Sequence, residues 1–198
     1  MAQQQIAASI FDINLRARRA TLIALAVLVV VLTVAPTALA QTLTVLHTFN
    51  GRPDGAEPIA GVTLDAAGSL YGTTYYGGAN GVGLVYKLAH RGSGWVLSPL
   101  YSFQQGEGAG GYAPVGGVTI GSDGNLYGAT TRGGPYDVGT VYKLSPPPTV
   151  CKSVLCPWIE TPLYQFTDGA DGAYPEATLI FDSAGNLYGT AAGGRHRK

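Results

Sequence analysis

The sequence predicts an all-β fold: tandem four-stranded antiparallel units that form an incomplete, open β-propeller-like array, preceded by an N-terminal apolar signal helix. One observation is a six-residue phrase that occurs three times, which is the signature of a repeat architecture. Another is that runs of β-branched and aromatic residues alternate with clusters of turn formers, which is typical of short strands joined by tight turns. The third is an apolar segment that follows three arginines near the N-terminus.

Residues 1–40 have the three parts of a secretory signal peptide. A polar region ends at Arg19, an apolar run follows it, and an Ala-x-Ala sequence at 38–40 precedes Gln41. The apolar run approaches the roughly 20 residues that cross a bilayer, so an uncleaved anchor is the alternative. Both interpretations place the protein outside the cell or on its surface, with membrane contact only through this segment if it is not cleaved. Residues 41–198 are then the β-repeat domain.

The repeated phrase is centred on a Leu-Tyr-Gly triplet. Its copies begin 56 and then 61 residues apart, and a turn proline (Pro58, Pro114, Pro175) keeps the same spacing. We interpret the triplets as the structural core of each repeat, because leucine fills a sheet interface, tyrosine buries its ring, and glycine permits close approach of another group. The residues are Leu70, Tyr71, Gly72, Leu126, Tyr127, Gly128, Leu187, Tyr188 and Gly189.

Each repeat is expected to hold four short strands. In repeat 1 (about 43–94) they lie at 42–49, 59–64, 70–75 and 84–88, and in repeat 2 (about 95–160) at 95–103, 115–120, 125–130 and 139–144. Repeat 3 (about 161–198) begins its first strand at Tyr164 and stops after its Gly-Gly pair, without a last strand. No stretch after residue 41 has a helical period.

The number of repeats predicts an open array. Closed propellers have about 4–8 blades, and this chain has three repeats. A shortened gene product, a fragment and one part of an oligomeric ring are the three explanations left open. Because unpaired strand edges promote association, we expect the protein to self-associate.

The composition narrows the classes of function. Only 12% of the residues are charged and the formal net charge is +0, so no basic surface is expected and nucleic acid is not a predicted partner. The 29 glycines and 12 tyrosines indicate strands and turns rather than disorder.

The motifs together point to a known repeat family. The order Tyr-x-Phe, Asp-Gly, Pro, Asp-x-x-Gly-Asn-Leu-Tyr-Gly-Thr-Thr, Gly-Gly and Gly-x-Val-Tyr-Lys-Leu resembles the bacterial extracellular tandem repeats called HAF or GloVer repeats, over residues 43–194. The resemblance implies export and a propeller-like β architecture, and it implies no catalytic residue. Two positions depart from the pattern: Ser69 replaces the usual asparagine, and Gly121 stands where Asp65 and Asp182 stand in the other copies.

Two sets of residues are candidate sites. Asp54, Asp168 and Asp171 precede glycines in turns and are weak calcium candidates, although Asp-Gly is also ordinary turn chemistry; no cofactor is otherwise expected. Cys151 and Cys156 lie in one irregular loop, and in an exported protein a disulfide between them is expected, with free thiols as the alternative.

Two functions from different classes fit these patterns. The first is a secreted or surface structural and binding module whose loops contact a glycan or a protein. The second is a secreted propeller-type hydrolase or lyase that acts on glycans, which we consider less favoured because the copies are nearly interchangeable. A nonfunctional gene remnant is a third. Exposed tyrosines would supply a sugar platform, and the candidates are Tyr71, Tyr75, Tyr76, Tyr127 and Tyr136.

Overall fold

The computed structural model describes residues 42–106, 110–148 and 158–194. The expected signal segment 1–40 and the expected disulfide between Cys151 and Cys156 lie outside these residues. Within them every regular element is a β-strand, so the all-β prediction is confirmed. In this part of the chain no helix has the length and hydropathy needed to cross a membrane.

Fourteen strands occur in the described residues, and all lie in the compact unit that begins at Val45. They are β1 (Thr63–Leu64), β2 (Leu70–Thr74), β3 (Leu84–Arg91), β4 (Gly94–Ser102), β5 (Gly111–Tyr112), β6 (Thr119–Ile120), β7 (Leu126–Thr130), β8 (Arg132–Gly133), β9 (Thr140–Ser145), β10 (Ile159–Gln165), β11 (Ala173–Pro175), β12 (Ile180–Phe181), β13 (Leu187–Tyr188) and β14 (Ala191–Gly193).

The strands form two four-stranded antiparallel sheets and three ribbons. The first sheet has the order β1-β2-β3-β4, and the second has the corresponding order β6-β7-β9-β10. Among the residues that the structure describes, the third sheet contains β12 and β13 alone, while β5 pairs with β8 and β11 with β14. In repeat 1 a single bridge between Ala56 and Tyr76 takes the place of these last two ribbons. Within the described residues, none of these sheets is closed.

The sheets are offset by one strand from the repeats that the sequence suggests. The predicted strand at 42–49 is not a strand, and the strand predicted to open repeat 2 instead pairs with β3 as the last strand of the first sheet. The reason is the tight turn at Gly92 and Ser93, which folds β4 directly back on β3. Pro99 fits within β4 because β4 is an edge strand, where a missing N–H costs no ladder bond.

The strands predicted at 59–64 and 115–120 are also much shorter in the structure, where they correspond to the two-residue strands β1 and β6. The segment before β6 forms a hydrogen bond to repeat 3 in place of a bond to a neighbouring strand. The N–H of Gly117 donates to Thr178 Oγ1 at 2.9 Å. A Cβ atom on Gly116 would lie 2.7 Å from the carbonyl oxygen of Ala177, so the two backbones are in close contact there.

The same interface joins repeat 1 to repeat 2 and repeat 2 to repeat 3. The N–H of Ala113 donates to Val82 O at 2.9 Å, and at the corresponding positions Tyr174 donates to Val138 O at 2.8 Å. The hydroxyl of Thr63 donates to Val118 O, and that of Thr119 donates to Leu179 O. The interface therefore recurs with the same donors and acceptors.

Two glycine–proline contacts complete the recurring interface. A Cβ atom on Gly83 would lie 2.8 Å from Pro114 Cδ, and one on Gly139 would lie 2.6 Å from Pro175 Cδ. Both glycines have positive φ angles, +103° and +105°. Only glycine satisfies both requirements at these positions.

The main hydrophobic core is shared between repeats 1 and 2. Its buried members come from both four-stranded sheets and the segments between them, and they are Tyr71, Val85, Leu100, Phe103, Val118, Leu126, Tyr142 and Leu144. A smaller core on the first sheet contains Leu84, Tyr86 and Leu88. Each sheet thus covers an apolar face by contact with its neighbour.

In the first two Leu-Tyr-Gly triplets the glycine faces a tyrosine on the next strand of its sheet. Gly72 pairs with Tyr86, and Gly128 pairs with Tyr142. A Cβ atom on Gly128 would lie 2.4 Å from the hydroxyl oxygen of Tyr142, so the phenol ring lies directly over the glycine. The close approach expected at these glycines is therefore made by an aromatic side chain.

Candidate functional site

Repeats 1 and 3 each hold an aromatic ring close to a carboxylate of the turn that follows it. His47 Nε2 lies 3.2 Å from Asp54 Oδ2, and the Tyr164 hydroxyl donates to Asp171 Oδ2 at 3.0 Å. The same carboxylates accept backbone N–H groups of the turn, from Asn50 in repeat 1 and from Thr167 in repeat 3. Each carboxylate therefore closes its own turn.

Repeat 2 builds this arrangement from a different residue. Gly110 stands at the position that Asp54 and Asp171 occupy in the other repeats. Glu160 of β10 fills the space, since a Cβ atom on Gly110 would lie 2.2 Å from Glu160 Oε1. The hydroxyl of Tyr101 donates to Glu160 Oε2 at 2.6 Å. The Glu160 carboxylate, 59 residues after Tyr101, thus takes the place of the turn aspartate that repeats 1 and 3 have.

The Glu160 carboxylate has one buried oxygen, Oε1, although the residue as a whole is only partly buried. Burial raises the pKa of Glu160, while the hydrogen bond from the Tyr101 hydroxyl acts in the opposite direction. Burial also raises the pKa of Tyr101, and the negative charge of Glu160 adds to that effect. By contrast, the hydrogen bond from the Thr167 hydroxyl lowers the pKa of Asp171 to about 2.

Tyr142 is the third polar group in this region. Its side chain is fully buried, and its hydroxyl has no hydrogen-bond partner among residues 42–106, 110–148 and 158–194. Burial raises the pKa of Tyr142, and the charges of Glu160 and Tyr101 raise it further. We call Glu160, Tyr101 and Tyr142 the buried cluster. All three polar groups of the buried cluster belong to repeat 2.

The buried cluster makes stability depend on pH. The pKa of Glu160 is raised in the folded protein, so its contribution is fully present when the carboxyl is neutral and is lost as pH rises through that value. We expect Glu160→Gln, which stays neutral and can still accept from Tyr101, to gain stability relative to the wild type as the pH rises above 4.5, the ordinary pKa of the carboxyl. Urea titrations at several pH values measure this difference.

Tyr101→Phe is the matched control, because it keeps the ring and removes the hydrogen bond to Glu160. Loss of this hydrogen bond is expected to cost about 0.5–1.5 kcal/mol where the carboxyl is neutral and about 1.5–3 kcal/mol where it is ionised. A Glu160→Gln variant that loses stability relative to the wild type as pH rises would contradict a raised pKa.

The tyrosine of each triplet also has a carboxylate partner. Tyr71 donates to Asp65 at 3.1 Å and Tyr188 donates to Asp182 at 3.0 Å. Repeat 2 has Gly121 at that position, and Tyr127 donates instead to Asp123 at 2.7 Å. A Cβ atom on Gly121 would lie 2.5 Å from Asp123 Oδ1, so this glycine makes room for the substitute carboxylate.

The calcium candidates are divided between two repeats. Asp54 is in repeat 1, whereas Asp168 and Asp171 are in repeat 3. The oxygens of Asp54 and Asp171 accept turn hydrogen bonds, and Asp168 has a positive φ of 59° at the position of Gly51. In the described segments, no three His, Cys, Asp or Glu side chains are grouped as metal ligands.

The five candidate platform tyrosines do not share one environment. Tyr71 is only 8% exposed, whereas Tyr76 and Tyr136 are 47% and 63% exposed. Tyr75 and Tyr76 contact each other edge to face, with ring centroids 4.4 Å apart. Tyr127 is half-buried against Phe181. Tyr76 and Tyr136 are therefore the most exposed of the five candidate tyrosines for a sugar platform.

Comparison with known families agrees with this repeated geometry. A model of the Gloeobacter/Verrucomicrobia repeat matches residues 30–198, which include every strand described above. The chain belongs to the Gloeobacter/Verrucomicrobia repeat family. Membership in this family confirms the resemblance to GloVer-type repeats and is consistent with a structural repeat module. No curated protein matches the chain.

Sequence inspection missed the two substitute carboxylates of this family member. A signal for each was present, because Gly110 interrupts the series Asp54 and Asp171, and Gly121 interrupts the series Asp65 and Asp182. In the second case a new aspartate two residues later points to the replacement. Glu160 is too distant in sequence for any local pattern to identify it.

Proposed function

We propose that the protein is a secreted or cell-surface module that acts by binding, with a propeller-like β array as its scaffold and a glycan or a protein as its partner. The observation that carries the proposal is the interface that occurs twice with the same hydrogen bonds. Such an array presents corresponding loops at regular spacing, which suits an extended binding surface.

A propeller-like arrangement is supported by three features. The four-stranded sheets are antiparallel and follow the order of the chain. Successive repeats contact each other through hydrogen bonds at corresponding positions, and the last strand of the first sheet comes from the segment that begins repeat 2. Blades of a propeller share these properties.

Export is supported by the sequence of residues 1–40. Their basic, apolar and small-residue regions follow one another in the order of a signal peptide. Fractionation of cells that express the full chain, followed by N-terminal sequencing of the released protein, tests this part. A mature N-terminus near Gln41 is expected, and a cytoplasmic protein that retains Met1 would contradict export.

We assign binding to the loops 75–83 and 131–139. Both loops occupy the same place in their repeats, between the second and third strands of a four-stranded sheet, and the second of them includes the short strand β8. They carry the exposed rings of Tyr76 and Tyr136. Aromatic rings on rigid loops provide apolar contact area together with a hydrogen-bonding hydroxyl, which suits both sugars and proteins.

The test combines a glycan array with a screen of glycosidase, lyase and esterase substrates on the purified exported protein. We expect saturable binding without turnover, and Tyr136→Ala is expected to weaken it by about tenfold or more. Ile159 is an apolar residue on an outer strand with a comparable exposure of 54%, so Ile159→Ala is the control and is expected to bind normally. Turnover that is lost on a single carboxylate substitution would instead support the secreted hydrolase or lyase.

A further inference from the structure

A groove lies between two successive turns, the one before β7 and the one before β13. It has a volume of about 430 Å³, within the range of roughly 300–1,000 Å³ that is usual for sites of small ligands. The rings of Tyr127 and Phe181 line it and contact each other edge to face, with centroids 5.0 Å apart. The exposed residues Ser122, Asp123 and Ser183 line it as well. The groove therefore combines apolar contact area with hydrogen-bonding groups.

Gly121 shapes the groove on the side of repeat 2. Repeats 1 and 3 have Asp65 and Asp182 at this position, whereas repeat 2 has its carboxylate two residues later, at Asp123. A Cβ atom on Gly121 would lie 2.5 Å from Asp123 Oδ1 and 2.6 Å from Tyr127 Cε2. The two side chains can hold their present places along the groove only because residue 121 has no side chain.

Repeat 1 shows what an aspartate and a tyrosine in these turns can hold. The Lys87 ammonium group lies 3.6 Å from Asp65 and 5.0 Å from the centre of the Tyr71 ring. Lys143 has the position of Lys87 in repeat 2, but no ion pair joins it to Asp123 in the part of the chain that the structure describes. The shifted carboxylate thus lacks the cation that its counterpart in repeat 1 has.

Two negative charges belong to the groove, those of Asp123 and Asp182. The hydrogen bond from the Tyr127 hydroxyl lowers the pKa of Asp123, and the hydrogen bond from the Asn186 side chain lowers the pKa of Asp182, so both are ionised at neutral pH. Asp123 Oδ1 accepts from the Asn125 N–H at 3.1 Å. Since a carboxylate oxygen can accept two hydrogen bonds, this oxygen can accept one more.

We propose that the groove binds a sugar unit that carries a free primary ammonium group, as a glucosamine-type residue of a glycan does. The ammonium group donates to Asp123 Oδ1 with the second carboxylate nearby, the sugar ring contacts the two aromatic rings, and the sugar hydroxyls bond to the two serines. A lysine side chain from a protein would supply the ammonium group alone and would leave the serines and most of the volume unused. The groove is at the opposite end of β7 from the loop 131–139, so it is a separate site from the binding loops.

Titration of the full chain with methyl glucosaminide, followed through amide shifts in nitrogen–proton correlation spectra, tests the proposal. We expect saturable shifts centred on the turns 121–125 and 182–186, with a Kd of about 1–10 mM. Methyl N-acetylglucosaminide has a neutral amide in place of the ammonium group. It is expected to bind roughly tenfold more weakly or worse, because a charge-assisted hydrogen bond is lost.

A double variant locates the site. Gly121→Asp combined with Asp123→Ala gives repeat 2 the turn carboxylate position of the other repeats and leaves the net charge unchanged. The new carboxylate is expected to pair with Lys143 as Asp65 pairs with Lys87, and the affinity for methyl glucosaminide is expected to fall about tenfold or more. Asp65→Asn removes a carboxylate outside the groove and is the control, with unchanged affinity expected. Circular dichroism checks that both variants keep the sheet structure.

Equal affinity for the two glycosides, an unchanged affinity of the double variant, or no shifts at about 50 mM methyl glucosaminide would overturn the proposal. Tighter binding of Nα-acetyl-lysine amide, which has a free side-chain ammonium group, than of methyl glucosaminide would also overturn it, because the groove would then select a protein side chain.

Discussion

Tyr142→Ala is expected to lower the free energy of unfolding by about 3–5 kcal/mol, the range for removal of a buried aromatic side chain. The ring is fully buried, covers Gly128, and contacts Phe103 with centroids 5.2 Å apart. Its removal leaves a cavity at the centre of the core that repeats 1 and 2 share. Denaturant titration monitored by tyrosine and tryptophan fluorescence measures the loss.

Tyr142→Phe separates packing from polarity at the same position. The hydroxyl has no hydrogen-bond partner among the described residues, so its removal relieves an unsatisfied buried group. We expect the phenylalanine variant to be as stable as the wild type within about 1 kcal/mol, or more stable. A loss as large as that of Tyr142→Ala would mean that the hydroxyl, and not the ring, stabilises the core.

Gly139→Ala is expected to cost about 3 kcal/mol or more, because two penalties combine. The residue has φ of +105°, which side chains rarely adopt. Its Cβ atom would also lie 2.3 Å from the carbonyl oxygen of Thr130 and 2.6 Å from Pro175 Cδ. Repeat 3 must then move away from repeat 2, and thermal unfolding measures the result.

Gly83→Ala and Gly124→Ala are the matched comparisons. Gly83 makes the corresponding contacts with Thr74 and Pro114, so its substitution is expected to be similarly damaging. Gly124 has a positive φ of 76° but open space around it, so only about 1–2 kcal/mol is expected. Equal effects of Gly139→Ala and Gly124→Ala would contradict a tight contact between repeats.

The repeat architecture was predictable because its signals are local. The triplets at Leu70 and Leu126 lie at the start of β2 and β7, and the turns before them are where the sequence indicated. The Val-Tyr-Lys-Leu segments likewise form parts of β3 and β9. Alternation and turn chemistry act over a few residues, so a single sequence is sufficient to reveal them.

The offset of the sheets and the buried cluster depend on distant contacts. A repeat pattern shows where a period recurs but does not show which strand completes which sheet. The sequence therefore predicts that β4 belongs to repeat 2, whereas in the structure it completes the first sheet. Tyr101 and Glu160 meet only after β10 has folded against β9. The sequence shows that Gly110 stands where the other repeats have an aspartate. It does not show that Glu160 occupies the space, because that contact depends on three-dimensional packing.

The central claim is that one interface joins repeat 1 to repeat 2 and repeat 2 to repeat 3. The most direct measurement is a carbon-edited nuclear Overhauser spectrum of the labelled protein in solution. We expect cross-peaks between the α-protons of Gly83 and the δ-protons of Pro114, and between those of Gly139 and Pro175, since both pairs are in van der Waals contact. Absence of both cross-peaks, or a cross-peak for one pair alone, would contradict the claim.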